Sequence, residues 1–271
     1  MVLFKKKQTD DGYVKSRYKL GLALSGGGTR GIAHLGVLKA FAERRIRFDY
    51  VAGTSAGSLV GAIYCSGANL DDVIAETKTV TRKELINKRF VIGSDSDNIR
   101  RLADKFLQGM TFGDLQTPFS CVAVDIVSGR EVVLSRGSVS RAVSASCAVP
   151  ALFTPVQYDD MLLVDGGLLN NMPADVCRQM GADIVVGVDL NHNRGNKGAR
   201  PRNLMDTLAA TWNITTKSTM YKGQHNSDLV IEPELTEYKN TSLNDVDDRI
   251  QAGYDGTVKV MDELLNLISA K

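Results

Sequence analysis

Residues 50–61 read YVAGTSAGSLVG, and these twelve residues carry the strongest signal of the architecture. Its first part, Tyr50–Ala52, is a short apolar run that predicts a buried strand. Its last part opens an apolar stretch near 56–66 that predicts a helix. Between them stands a Gly-x-Ser-x-Gly turn, so the sequence predicts a sharp strand-to-helix junction with a serine at its tip.

The serine of this turn is Ser55, and its setting is that of a nucleophile elbow. Such a turn exposes the hydroxyl at the helix N-terminus, where the helix dipole and the N–H of Ala56 favour developing negative charge. Gly53 and Gly57 flank it and let neighbouring elements approach closely. We therefore expect Ser55 to act as a nucleophile.

Outward from the elbow, predicted strands and helices alternate along the chain. The pattern predicts a strand at 19–25, a helix at 30–44, hairpins at 119–134 and 156–164, a helix at 138–147, a helix at 173–180, a strand at 183–190, and helices at 203–222 and 245–269 with a short strand between them. Alternation of this kind produces βαβ units and a mostly parallel sheet covered on both faces. No internal repeat or proline-rich linker divides the chain, so we expect one domain at 18–271, preceded by a flexible basic leader at 1–17.

Composition excludes several classes of protein. The chain has 271 residues, 43% of them hydrophobic, and a formal net charge of +2, which disfavours a disordered chain and a nucleic-acid binder. No apolar run of 18 residues and no signal peptide occurs, and the four cysteines sit in apolar runs without metal-ligand spacing. We expect a cytoplasmic protein without a metal or another cofactor.

A second glycine-rich turn follows the first predicted strand, at Gly26-Gly27-Gly28-Thr29-Arg30-Gly31. It formally matches the G-x-G-x-x-G dinucleotide fingerprint, which also requires an acid at the end of the next strand. Asp49 precedes that strand, and the strand ends in the serine elbow, so a dinucleotide site is disfavoured. What remains is a set of backbone N–H groups beside a helix N-terminus, suited to a transient oxyanion or to a phosphate.

A third motif is Asp165-Gly166-Gly167, directly after the apolar run 161–164. Asp165 at the end of a predicted strand is a candidate to take the serine proton, provided that burial raises its pKa. Histidine is the usual base, and the chain has three. His34 and His225 are disfavoured by their positions, whereas His192 follows a predicted strand and completes the order serine, aspartate, histidine of a triad. A dyad of serine and aspartate is the simpler hypothesis, because few strands precede the elbow.

These three motifs together resemble those of the patatin-like phospholipases. Two further blocks resemble the same family, the run SASCAVP at 144–150 and the run NNMP at 170–173. The resemblance covers roughly residues 18–260 and is closest to small bacterial cytosolic members, which are similar to the catalytic domain of neuropathy target esterase.

The resemblance implies a three-layer α/β/α sandwich with a mostly parallel central sheet. It implies a Ser55–Asp165 dyad without histidine, in which the serine is acylated and the aspartate activates first the serine and then water. It also implies an oxyanion hole built from Gly26, Gly27 and Gly28, with Arg30 helping to position it. The Ala56 N–H is expected beside this hole.

The implied substrates are lipid acyl esters, such as those of phospholipids and lysophospholipids, and neither a metal nor nucleic acid is implied. Residues 70–110 are the best candidate for a helical cap. They contain a basic cluster of Arg82, Lys83, Lys88 and Arg89, which could give peripheral contact with the inner membrane face. Two other functions stay open, an acyltransferase that uses the same nucleophile and a catalytically silent regulatory protein. The oligomeric state is not predicted.

Overall fold

The computed structural model describes residues 12–14, 16–79, 95–192, 200–235 and 245–269. The strands in these ranges are β1 Leu20–Leu24, β2 Tyr50–Thr54, β3 Phe119–Asp125, β4 Arg130–Leu134, β5 Val156–Tyr158, β6 Met161–Asp165, β7 Ile184–Val188 and β8 Leu229–Ile231. The helices are α1 Ala33–Glu43, α2 Ala56–Cys65, α3 Leu70–Thr79, α4 Asp97–Leu107, α5 Val139–Ser146, α6 Ala174–Met180, α7 Leu204–Asn226, α8 Val246–Lys259 and α9 Met261–Ser269. A 3-10 turn at Gly28–Ile32 leads from the glycine loop into α1.

All eight described strands join one mixed sheet. Its centre is parallel, with β1 between β2 and β7, β3 beside β2, and β8 beside β7. The other part is antiparallel, because β4 and β6 both pair with β3 and β5 pairs with β6. The two hairpins account for this part, so the expected α/β architecture is confirmed, with an antiparallel extension at one edge.

Strands β2 and β6 meet end to end along the same edge of β3. Val122 of β3 is paired with Thr54 at the end of β2, and the next residue, Ala123, is paired with Asp165 at the end of β6. Strand β4 pairs with residues 121–125 and so occupies the opposite edge of β3. The carboxyl ends of β2 and β6 therefore converge on two adjacent residues of one strand.

Helices cover both faces of the sheet, which gives the three layers. The side chains of β1 alternate between the faces: Leu22 and Leu24 belong to the core cluster that contains α1, α2 and α5, while Ala23 packs with α6. Apolar side chains on both faces of a strand are typical of a central parallel strand. The core thus fixes the sheet rigidly beneath the strand ends, where ligands bind in open α/β folds.

Some expectations lie outside the described residues. Most of the leader at 1–17 and the basic cluster of the expected cap are among them. The described parts of the cap region are helices α3 and α4, and α4 buries Ile99, Leu102 and Phe106. The four cysteines are buried and unpaired. In the part of the chain that the structure describes, no helix is long and apolar enough to cross a membrane.

Candidate active site

Ser55 stands at the tip of a strained turn between β2 and α2. Its φ of 53° lies in the left-handed region, which is costly for a residue with a side chain, on the order of 1–3 kcal/mol. The surroundings hold this conformation: the Ser55 N–H donates to Ser146 Oγ at 2.9 Å, and Ser146 Oγ donates to the Val122 carbonyl at 2.6 Å. Ser58 Oγ donates to the Ser55 carbonyl at 2.6 Å. The serine is therefore fixed by neighbours from three elements.

Two glycines allow this elbow to close. A Cβ atom on Gly57 would overlap the Leu24 carbonyl oxygen at the end of β1. A Cβ atom on Gly53 would lie 2.5 Å from the Gly57 oxygen. Both positions thus require glycine because backbone approaches backbone, as the elbow pattern predicts.

Asp165 reaches the same place from β6 and is completely buried. Its Oδ1 accepts a hydrogen bond from the Gly167 N–H at 2.8 Å. Its Oδ2 has no hydrogen-bond partner among the described residues. Burial raises the pKa of Asp165 to about 7, and the nearby Ser55 hydroxyl and the Gly167 N–H oppose this rise. One carboxylate oxygen is thus held in place while the other is available to a proton near neutral pH.

The first glycine turn lies directly against the elbow. A Cβ atom on Gly26 would come within 3.1 Å of Ser55 Cβ, and one on Gly31 would lie 2.5 Å from Ala56 Cβ. The Gly26 N–H, expected among the oxyanion donors, donates instead to the Asn171 carbonyl at 3.0 Å.

The remaining expected donors are the N–H groups of Gly27, Gly28 and Ala56. None of the three donates a hydrogen bond within the described ranges. Gly28 has a φ of 59°, a conformation that glycine adopts without steric cost. The structure therefore leaves donors on two elements for a developing negative charge, the glycine turn and the N-terminus of α2.

Two buried arginines hold the glycine turn. Arg30 Nη1 donates to the Leu190 carbonyl at 3.2 Å, which ties the turn to the end of β7. Arg249 of α8 donates from Nη1 to the Thr29 carbonyl at 3.0 Å and is completely buried. Burial and the proximity of Arg249 lower the pKa of Arg30. No sequence pattern singles out Arg249, because it follows two aspartates in a segment that resembles an exposed helix.

Other neighbours of the site come from the two further sequence blocks, at 144–150 and 170–173. Asn170 and Asn171 contact both the elbow and the glycine turn: the Asn170 carbonyl accepts from Thr54 Oγ1 at 2.8 Å, and the Asn171 carbonyl accepts from the Gly26 N–H. The Cys147 thiol lies 3.7 Å from Ser58 Oγ, and burial raises its pKa. The runs at 144–150 and 170–173 therefore pack against the elbow and the glycine turn and support them.

The histidines are placed elsewhere. His34 is fully buried, its Nε2 lies 2.9 Å from the Ser25 carbonyl, and burial lowers its pKa to about 4. A neutral ring that donates to this carbonyl supports the start of the glycine turn. His192 pairs through Nδ1 with Glu232 at 2.9 Å. Within the described ranges, no hydrogen bond joins any of the three histidines to Ser55 or Asp165.

Comparisons with known proteins agree with this architecture. The family model described as patatin-like phospholipase matches residues 22–178, which contain both turns and Asp165. An uncharacterized NTE family protein of Mycobacterium tuberculosis is 28% identical over 273 residues, covering 86% of this chain and 45% of the relative. A protein named lysophospholipase nte1 from Aspergillus fumigatus is 32% identical over 203 residues, covering 72% of this chain and 13% of the relative.

The fold has a solved counterpart. The crystal structure of VipD from Legionella pneumophila superposes with a TM-score of 0.64 at 17% identity, over 95% of this chain and 69% of that one. At that identity the likeness concerns the fold alone. The chain spans less than half the length of the first sequence relative and a small part of the second.

Proposed function

Because the chain belongs to the patatin-like phospholipase family, a family of lipid ester hydrolases, we propose that it cleaves acyl esters of phospholipids or lysophospholipids through an acyl-enzyme on Ser55. One observation carries the proposal. The nucleophile elbow and a buried carboxylate reach the same edge of β3, and that carboxylate keeps one oxygen without a partner among the described residues. The relative named lysophospholipase supports the choice of substrate.

The proposed reaction uses the Ser55 hydroxyl as the nucleophile and Asp165 as the base. The Ser55 hydroxyl oxygen attacks the ester carbonyl carbon, and its proton passes to Asp165 Oδ2. The carbonyl oxygen becomes an oxyanion that accepts hydrogen bonds from the N–H groups of Gly27, Gly28 and Ala56. Collapse of this intermediate breaks the ester bond, and Asp165 returns the proton to the departing alcohol oxygen, leaving an acyl-serine.

Deacylation repeats the sequence with water. Asp165 takes a proton from a water molecule that attacks the acyl carbonyl, and the same donors bind the second oxyanion. The proton then returns to Ser55 as the fatty acid leaves. Without a histidine, the base must be a carboxylate with a raised pKa, and burial of Asp165 supplies this condition.

Peripheral contact with a membrane belongs to the same proposal. A lipid substrate resides in a bilayer or micelle, and the basic cluster predicted within residues 70–110 would bring the protein to an anionic surface. This part rests on the sequence, since the cluster lies outside the described residues.

A fluorophosphonate probe tests the nucleophile before the substrate is known. We expect it to label the wild-type protein covalently at Ser55 and to leave Ser55→Ala unlabelled. Hydrolysis of a lysophospholipid, measured as the release of fatty acid, should disappear in the same variant. Labelling that persists in Ser55→Ala would contradict the proposal, as would wild-type protein that is folded yet neither labelled nor active. Ser144→Ala is the matched control, because Ser144 is a buried serine whose hydroxyl donates to the Arg141 carbonyl of its own helix.

A further inference from the structure

A second arginine, far along the chain, reaches the glycine turn. Arg249 lies on α8, beyond residues 22–178 that the family model matches. Its side chain is completely buried, and its Nη1 donates to the Thr29 carbonyl at 3.0 Å. Burial of a guanidinium is costly unless its hydrogen bonds compensate. A buried arginine aimed at a backbone carbonyl of the turn therefore calls for an explanation.

We propose that Arg249 is a positioning residue that orients the Gly28 N–H toward the oxyanion. This inference rests on the proposed function, because it assigns Gly28 the role of a donor in ester hydrolysis. Arg249 does not touch the substrate; it acts through the backbone of the turn.

Two peptide planes connect Arg249 with the Gly28 N–H. In a trans peptide the C=O and the following N–H point in opposite directions. The Thr29 carbonyl points to Arg249, so the N–H of Arg30 in the same peptide points the other way, and it donates to the Gly27 carbonyl at 3.2 Å. The Gly27 carbonyl belongs to the same peptide as the Gly28 N–H. That N–H is therefore directed away from the interior of the turn, and it has no acceptor among the described residues.

Helix α8 is a rigid support for this contact. It packs backbone to backbone against α1, because a Cβ atom on Gly36 would overlap the Ile250 oxygen and one on Gly253 would overlap the Ala33 oxygen. Helix α1 itself continues directly from the glycine turn. The origin of the Arg249 side chain and the carbonyl it holds are thus fixed relative to each other, which is what accurate placement of a donor requires.

The positive charge of Arg249 also favours an oxyanion at the glycine turn. Its proximity contributes to lowering the pKa of Arg30, so the two guanidinium groups lie near each other beside the turn. Arginine stays protonated in proteins. Asp189 is the carboxylate that opposes this repulsion. A buried cation behind the turn adds a positive potential where the oxyanion forms.

Three variants test the inference on the full-length chain: Arg249→Met, which removes the donor, Arg249→Lys, which keeps the charge and one donor, and Ile250→Ala. Ile250 neighbours Arg249 on α8 and belongs to a buried apolar cluster, so its truncation loosens α8 and leaves the Arg249 side chain itself unchanged. Steady-state hydrolysis of a soluble p-nitrophenyl ester is measured at a temperature where circular dichroism shows every variant folded.

We expect Arg249→Met to lower kcat on the order of 10- to 100-fold with KM nearly unchanged, somewhat less than removal of an oxyanion donor itself. Arg249→Lys should recover part of kcat. Ile250→Ala should lower the melting temperature and keep kcat near wild type. If Arg249 had a purely structural role, Arg249→Met and Ile250→Ala would both lower the melting temperature, and kcat would not distinguish the two variants.

Equal kcat in Arg249→Met and wild type would overturn the inference, and so would an equal loss of kcat in Ile250→Ala. If Arg249→Met does not fold, Arg249→Lys and Arg249→Gln decide: kcat below that of Ile250→Ala supports the inference, and kcat equal to it refutes it. A wild-type chain that fails to hydrolyse the ester and escapes the fluorophosphonate probe would instead refute the proposed function.

Discussion

Replacing Asp165 by asparagine should remove activity and, above pH 7, make the fold more stable. The carboxyl is completely buried and its pKa in the folded chain is about 7, whereas an aspartate in an unfolded chain has a pKa near 3.9. At low pH both states are protonated and the group costs nothing. As pH rises above about 4 the unfolded state releases its proton first, so the wild-type chain progressively loses stability until pH reaches about 7.

The size of the effect follows from the two pKa values. Their difference is about 3, and each pH unit of difference corresponds to about 1.4 kcal/mol, so the loss levels off at about 4 kcal/mol. Asparagine has no such titration and can still accept the Gly167 N–H through its amide oxygen. The free energy of unfolding of Asp165→Asn, minus that of wild type, should therefore rise by about 4 kcal/mol between pH 4 and pH 8.

Urea denaturation followed by circular dichroism at closely spaced pH values measures this difference. The pH dependence is decisive, because any constant effect of the amide on packing shifts all values equally. Ser55→Ala is the control: it keeps the carboxyl and loses a hydroxyl that lowers its pKa, so its stability should follow the wild-type profile or continue falling slightly above pH 7. A difference independent of pH, or one that shrinks as pH rises, would refute the assignment of a raised pKa.

Two further predictions concern the elbow and the surface. Ser146→Ala removes a hydroxyl that joins the Ser55 N–H to the Val122 carbonyl, both buried, so it should lower the free energy of unfolding by about 2–4 kcal/mol and reduce kcat. The control is Ser144→Ala, which should cost less than about 1 kcal/mol because this hydroxyl donates to the Arg141 carbonyl of its own helix. Equal losses in the two variants would argue against support of the elbow by Ser146. The second change neutralises the basic cluster of Arg82, Lys83, Lys88 and Arg89. It should weaken sedimentation with anionic vesicles and leave hydrolysis of a soluble ester unchanged. Undiminished vesicle binding would remove the cluster from the proposal.

The local parts of the site could be predicted from sequence because their signals are local. An apolar run before a Gly-x-Ser-x-Gly turn and a helix after it determine the elbow, and β2 and α2 lie where the pattern predicts them. The hairpins were predictable for the same reason, since turn residues separate two short strands. Parallel strands at the centre followed from alternation of strands and helices, and β1, β2 and β7 confirm it.

The meeting of Ser55 and Asp165 needed more than these signals. The sequence predicts both residues at the carboxyl ends of strands. The carboxyl ends of two strands that run in opposite directions lie at opposite ends of a sheet, unless the strands are offset along their length. Here β2 occupies the first half of one edge of β3 and β6 the second half, so two strands that run in opposite directions bring their carboxyl ends together. That offset depends on pairing between residues 38 or more positions apart, and no local pattern determines it.

The proposed donors of the oxyanion hole show the same limit at the scale of single atoms. Three successive glycines predicted three available N–H groups, but the Asn171 carbonyl, from a turn far along the chain, accepts the one from Gly26. Which of the others faces the substrate depends on the direction of each peptide, and that direction depends on contacts from β7 and α8 through Arg30 and Arg249. A glycine-rich sequence allows a backbone to present its N–H groups, whereas the tertiary contacts determine which of them remain available for catalysis.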